Sequence, residues 1–344
     1  MNEAERHPRV EHVTAALIRP EVVYIGGADR SGSTILGLVM GTLPGTAYVG
    51  EVMHVWRRGV AENQLCGCGE PFLACPFWRE VGQAAFGGWQ HVDVDHVEWL
   101  SRRVLRERFG LAMPLLKRRL SYRANFAAYL EYIEPLYRAI WRVSGARRIV
   151  DSSKGLSQYG ALAALSSIDL SLVHLVRDSR GVAHSWTRKI VMPEITSDRE
   201  YMATFSPAWA ALQWDFMNVE FDIARNLMYR ARPSVLVRYE SFAADPVRAS
   251  HAALASVSKT TSPDGVSDSS PLGRIRVGTQ HTVSGNPARF SGPAVTVRPD
   301  VRWHAEMRRT RKALVTAVTW PILARYAILD RGRPRRRYPP ASPV

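Results

Sequence analysis

Two stretches of this 344-residue chain set cations, hydroxyls and glycines at spacings suited to gripping an anion. In the first, a β-rich run ends in Gly27-Ala-Asp-Arg-Ser-Gly32-Ser33-Thr34 and passes into the apolar Ile35-Leu36-Gly37-Leu38-Val39-Met40. Strand, glycine-containing loop and helix start follow at the spacing of the phosphate loop G-x-x-x-x-G-K-[ST], with Ser33 at the lysine position. Loop amides and a helix N-terminus offer donors to an anion. Arg30 brings a cation from inside the loop, and Ser31, Ser33 and Thr34 add hydroxyls. An ordinary kinase needs the missing lysine and a metal-holding acid. The loop therefore suits a nucleotide whose 5′ end is not a metal-bound triphosphate.

In the second stretch, Leu172-Val-His-Leu-Val-Arg177-Asp178 leaves another β-rich run, and Ser185 follows Arg177 by eight residues. That puts Arg177 at a strand's carboxyl end and Ser185 about two turns into the next helix, where both can face a ligand crevice. A guanidinium fork and a hydroxyl can hold a second phosphate on the same nucleotide.

The segment Cys66-Gly-Cys68-Gly-Glu-Pro-Phe-Leu-Ala-Cys75-Pro-Phe-Trp78 leaves several readings open. It reads first as a reduced, Gly-Pro-shaped loop near an acceptor, with Trp56, Phe77 and Trp78 lining a pocket or filling the core. A Cys68–Cys75 or Cys66–Cys75 disulfide is a second reading. A zinc site, one ligand short unless His54 or His91 completes it, is a third.

Elements must deliver these residues to one place. Glu21–Ile25, Arg148–Val150, Leu170–Val176 and Ser234–Arg238 are β-rich and alternate with helical patterns, which predicts an α/β fold with a parallel sheet covered by helices. Val94–Phe109 and Tyr122–Val143 carry helical periodicity, so residues 92–145 read as a helical insertion or cap over the sheet edge. Residues 1–20 read as an N-terminal extension, 21–330 as one domain, 256–271 as a flexible loop and 331–344 as a basic tail. That tail is either a solvated end or a peripheral contact to an anionic substrate or surface.

Lys and Arg number 46 against 31 Asp and Glu, a net charge of +15 that favours an anionic partner. The arginines are spread along the chain and no nucleic-acid motif occurs, so nucleic acid is not the expected partner. Three cysteines exclude a disulfide-built scaffold. The N-terminal MNEAERHPRVEH lacks the apolar run of a signal peptide, and Ala313–Leu329, interrupted by Pro321 and Arg325, reads as an amphipathic terminal helix. A cytoplasmic location is the expectation. Oligomeric state is not legible.

The two anion signatures together resemble those of sulfotransferases that use 3′-phosphoadenosine 5′-phosphosulfate (PAPS), over roughly residues 21–310. Arg30-Ser31-Gly32-Ser33-Thr34 is similar to that family's 5′-phosphosulfate loop, and Arg177 with Ser185 to its 3′-phosphate pair. The run around Tyr239 and the segment His281–Arg289 look like its late strand and the C-terminal loop that closes over the cofactor, making Tyr239 and Arg289 cofactor-side candidates. The resemblance implies a P-loop-type central parallel sheet. Gly50-Glu51 resembles the Gly-Glu that supplies the base in tyrosylprotein sulfotransferases, in the branch with Golgi carbohydrate enzymes and bacterial relatives. It makes Glu51 the candidate base, with desolvation expected to raise its pKa, and His54 the reserve. Asp151-Ser-Ser-Lys154 resembles a lysine turn at the transferred group, which makes Lys154 and Arg30 the leaving-group cations. The other reading of that turn is a helix start capped by Asp151 or Ser152. The implied reaction moves a sulfuryl group to a hydroxyl of a small-molecule, glycolipid or glycan acceptor, without metal. A P-loop small-molecule kinase and a non-catalytic nucleotide-binding module are the rival functions.

Overall fold

The computed structural model describes residues 19–106, 110–193, 201–258 and 274–331, with side chains as far as 326. Strands β1 (Glu21–Gly26), β2 (Thr46–Tyr48), β3 (Arg148–Lys154), β4 (Asp169–Val176) and β5 (Ser234–Arg238) form one parallel sheet in the order β2-β3-β1-β4-β5. The central strands are apolar on both faces, as strands covered twice must be. Val22 and Tyr24 of β1 enter one core cluster, Val23 and Ile25 the other.

Helices α1 (Ser33–Met40), α2 (Pro76–Phe86), α3 (Val94–Val104), α4 (Met113–Leu116), α5 (Leu120–Ser144) and α6 (Leu156–Leu162) precede β4. After it come α7 (Ser179–Trp186), α8 (Pro207–Ile223), α9 (Tyr239–Ala244), α10 (Pro246–Val257), α11 (Trp303–Glu306) and α12 (Arg309–Arg331). A two-stranded antiparallel ribbon, β6 (Arg274–Arg276) with β7 (Ala294–Thr296), completes the described elements.

The helices expected within 92–145 are α3 to α5, and they form a layer of the fold itself. Leu100, Tyr129, Ile133 and Tyr137 share one buried cluster with Val22, Tyr24, Ile149 and Leu172 of the sheet. The opposite face is covered by α1, α9, α10 and the ribbon, through Leu36, Val39, Phe242, Leu254 and Ile275. Each such large side chain contributes about 1.5–3 kcal/mol of burial.

All four expected strands are present; β2, only three residues long, and the ribbon strands β6 and β7 are additional. The helix-cap reading of Asp151 and Ser152 is overturned. Both lie inside β3, and the residue capping α6 is Gly155. Asp151 is wholly buried and accepts from Tyr137 Oη at 2.5 Å, Ser153 Oγ at 2.5 Å and Val52 N at 3.3 Å, which ties β3 to the segment after Glu51. The terminal helix is present as α12, packed on α7 and α8. Among the described residues no helix is long and apolar enough to cross a membrane. Most of the extension, the loop expected at 256–271 and the tail fall on residues 1–18, 259–273 and 332–344, outside the described residues.

Candidate active site

Each of the five strands delivers candidate site residues at its carboxyl end, where open α/β sheets bind ligands. The loop after β1 carries Arg30 to Thr34, the turn after β2 carries Glu51, β3 ends on Lys154, β4 is followed by Arg177, and β5 by Tyr239. Ten of the twelve sequence-chosen residues line one cavity of about 580 Å³: Arg30, Gly32, Ser33, Thr34, Glu51, His54, Lys154, Arg177, Ser185 and Tyr239.

The loop holds its shape through left-handed backbone at Arg30 (φ 64°) and Gly32 (φ 94°). A Cβ on Gly32 would lie 2.8 Å from the Tyr239 ring, so only glycine lets the loop close against β5's end. The α1 helix begins at Ser33 with no acidic side chain in its first turn. Arg30 lies over the Trp186 ring at 4.7 Å and donates from Nη1 to Met202 Sδ, a weak acceptor. Its Nε and Nη2 are buried with no hydrogen-bond partner among the described residues. Burial holds the guanidinium pKa below its ordinary value despite nearby Asp29 and Glu51. A desolvated cation with unused donors at a helix N-terminus is built to receive an anion.

Arg177 is 7% exposed, stacks on Tyr239 at 4.5 Å and donates from Nη1 to the Arg30 carbonyl. Its Nη2 donates to Asp300 Oδ2 at 3.1 Å, and Asp300 also accepts from Arg302. Arg302 first, and Arg177 with it, override burial and hold the Asp300 carboxyl well below the usual carboxylate range. Ser185, on α7, also lines the cavity.

Lining the same cavity, Lys154 Nζ lies 2.6 Å from Glu51 Oε1 and 2.9 Å from Asp29 Oδ1. Ser284 Oγ donates to Glu51 Oε2 and receives from Arg58 Nη1. His54 Nε2 stands 3.6 Å from Glu51 Oε2. The expectation of a raised Glu51 pKa is overturned. Burial pushes it up, but Lys154, His54 and Arg58 bring it down to about 2. Burial lowers His54 to about 4, against the pull of Glu51, so its ring is neutral near pH 7. The site thus presents an ionised carboxylate and an ammonium locked together beside an open cavity.

Two chosen residues stand apart from that cavity's lining. Ser31 is 1% exposed with its hydroxyl unpartnered among the described residues, and Arg289 turns its guanidinium to the carbonyls of Thr282 and Leu65. Arg289 therefore braces its loop; Gly285 and Asn286 of that loop reach the cavity instead, Asn286 N donating to Thr34 Oγ1. Trp56 and Trp78 are fully buried core, and Phe77 stacks on His281 at 5.1 Å, so none of the three lines the cavity. The cysteines are all free, and the histidine that joins them is His281, not His54 or His91.

Sequence reasoning missed four members of the site. Asp29 and Ser284 lie inside segments already singled out, and Arg58 lies just beyond Glu51. Asp300, 123 residues from Arg177, carries no local signal.

No family model matches the chain, and no curated protein matches it. Among solved structures, a sulfotransferase domain from the curacin biosynthetic pathway aligns over 90% of this chain and 98% of that chain, with 14% identity and a TM-score of 0.47. At that identity and degree of superposition, nothing of that domain's chemistry carries over to this chain.

Proposed function

We propose that this protein is a sulfotransferase that moves the sulfuryl group of PAPS to a hydroxyl on a glycan, glycolipid or other small-molecule acceptor. The observation that supports this most is one cavity lined by two guanidiniums, Arg30 and Arg177, and by the Glu51–Lys154 carboxylate–ammonium pair. A nucleotide bearing a 5′-phosphosulfate and a 3′-phosphate has two anionic groups, one for each guanidinium.

In this reading Arg30, the loop hydroxyls and the α1 N-terminus bind the phosphosulfate. Arg177 exchanges Asp300 for the 3′-phosphate, with Ser185 beside it. Glu51, already ionised, takes the proton of the acceptor hydroxyl as that oxygen attacks sulfur in line. The new S–O bond forms as the bond from sulfur to the phosphate oxygen breaks. Lys154 and Arg30 neutralise the charge that grows on the departing oxygen, leaving 3′,5′-ADP. Like phosphoryl transfer, the step asks mainly for positioning and charge stabilisation.

Thermal shift with PAPS, 3′,5′-ADP, 5′-AMP, ATP-Mg and NAD tests the reading, because a ligand specific to the folded state raises apparent stability. PAPS and 3′,5′-ADP are expected to raise Tm at concentrations where the other three do not. Stabilisation by ATP-Mg alone would assign the cavity to a kinase. Binding of PAPS with no transfer to any hydroxyl in an acceptor library would leave a nucleotide-binding module.

A further inference from the structure

The strongest feature outside the cavity is a pocket of sulfur and nitrogen. Cys66 and Cys75 are 1% and 0% exposed, and with Cys68 and His281 they bring four ligand atoms within 4.8 Å of one another. Cys68 Sγ and Cys75 Sγ are 3.7 Å apart; His281 Nδ1 is 3.2 Å from Cys75 Sγ and 4.0 Å from Cys66 Sγ. Zinc–sulfur bonds of about 2.3 Å in a tetrahedron put neighbouring sulfurs about 3.8 Å apart. The observed spacing is already that of ligands around one missing atom, whereas a disulfide needs about 2.05 Å.

The surrounding chain is shaped for the same purpose. A backbone N–H lies near each sulfur, that of Cys68 beside Cys66, of Glu70 beside Cys68 and of Trp78 beside Cys75. Each sulfur thus has an outer partner of the kind that supports a thiolate ligand. Phe77 stacks on the His281 ring with the planes 11° apart and fixes its orientation. Gly67 lets the two strands of chain meet: its N–H donates to Thr282 O, and a Cβ there would lie 2.2 Å from Thr282 Oγ1.

We propose that Cys66, Cys68, Cys75 and His281 bind one zinc ion in a closed structural site. Three thiolates and an imidazole leave no open position, so the ion takes no substrate. Its task is to clip the cysteine loop to the segment that begins at His281. That segment lays Ser284 on Glu51 and Asn286 on Thr34. Binding releases the thiol protons to solvent and joins parts of the chain 206 residues apart. The site stands whether or not the cavity transfers sulfuryl groups.

The test is metal analysis of the full chain, purified under reducing conditions without chelator. About one zinc per chain is expected, released stoichiometrically by a mercurial reagent with a fall in Tm. Cobalt(II) in place of zinc should give thiolate charge-transfer bands and tetrahedral ligand-field bands. Cys75→Ala and His281→Ala should lose the metal; if they fail to fold, zinc content and the cobalt spectrum of the unaltered chain still decide. Below about 0.1 zinc per chain, both as isolated and after equilibration with zinc, the proposal fails. It also fails if iron is the metal found, or if thiol titration of the unreduced chain shows one thiol instead of three.

Discussion

Glu51 Oε1 and Lys154 Nζ are 2.6 Å apart, so the carboxylate proposed as base and the cation proposed to receive negative charge are each other's partners in the ligand-free protein. Asp29 holds Lys154 from its other side at 2.9 Å. Glu51→Gln leaves Lys154 paired with Asp29, so the variant is expected to fold and bind 3′,5′-ADP like the unaltered protein. Sulfuryl transfer should fall about 10²–10⁴-fold, the scale of a general base. His54→Ala should cost under about tenfold, since a neutral ring beside the base only orients it. Steady-state kinetics with calorimetry decide; an inactive His54→Ala beside an active Glu51→Gln hands the role to His54.

Arg177 already has a carboxylate partner, and this sets a pair of opposite expectations. Arg177→Ala should weaken 3′,5′-ADP binding by roughly 1.5–3 kcal/mol, the scale of a charged hydrogen bond. Asp300→Asn should tighten it by about threefold to tenfold, because the phosphate no longer displaces an anion. Ser185→Ala should cost less than Arg177→Ala. Equal affinity for 5′-AMP and 3′,5′-ADP in calorimetry would remove the 3′-phosphate assignment.

The pH dependence follows from Glu51 being held down to about 2, against an ordinary 4.5, and His54 to about 4. The free enzyme's kcat/KM should show no acid limb between about pH 5 and 8 from either group. A limb centred near pH 6 to 7 would mean that the working base lacks the Lys154 contact. Stability carries the matching sign. A depressed carboxyl pKa contributes stability that is complete above 4.5 and is lost as pH falls towards 2. Urea titrations between pH 6 and 3 should therefore show a shallower loss in Glu51→Gln than in the unaltered chain.

Gly32→Ala tests the loop. The added Cβ meets the Tyr239 ring at 2.8 and 2.9 Å on a backbone at φ 94°. Stability should fall by about 1–3 kcal/mol and nucleotide affinity with it. A variant unchanged in both Tm and 3′,5′-ADP affinity would mean that the loop and β5's end are not in contact.

Transfer should need no magnesium. The loop has Ser33 in place of the phosphate-loop lysine, and the charge beside the cavity comes from Arg30 and Lys154. Rates measured with and without added magnesium should agree within error; a rate that appears only with magnesium returns the site to kinase chemistry.

What the sequence disclosed followed the range over which its signals act. β1, β3, β4 and β5 were legible because each carries a run of β-branched and other apolar residues, whereas β2, Thr46-Ala47-Tyr48, has no such run. The Arg30–Thr34 loop and the Arg177/Ser185 pair were legible because each is set by spacing within ten residues. The Glu51 pKa was expected in the wrong direction for a physical reason. Burial at a cleft can be foreseen from position, but the ammonium that overrides it enters from β3, about a hundred residues on. The same distance hid His281 from the cysteines and Asp300 from Arg177, although both lie in segments close to motifs already noticed.

The isolated bridge between Gly50 and Val283 also has a temporal meaning. Glu51 N donates to Val283 O, Val283 N donates to Val49 O, and Ser284 reaches the Glu51 carboxylate across 233 residues of sequence. During synthesis the loop of Arg30, the strand end of Lys154 and the Arg177 turn all emerge long before residue 283. A nascent chain can therefore bring Arg30, Lys154 and Arg177 together while the seat of the Glu51 carboxylate is still unfinished. The seat of the carboxylate is completed only once residues 283 and 284 have emerged, so a chain cut short before them would lack the Ser284 contact to Glu51.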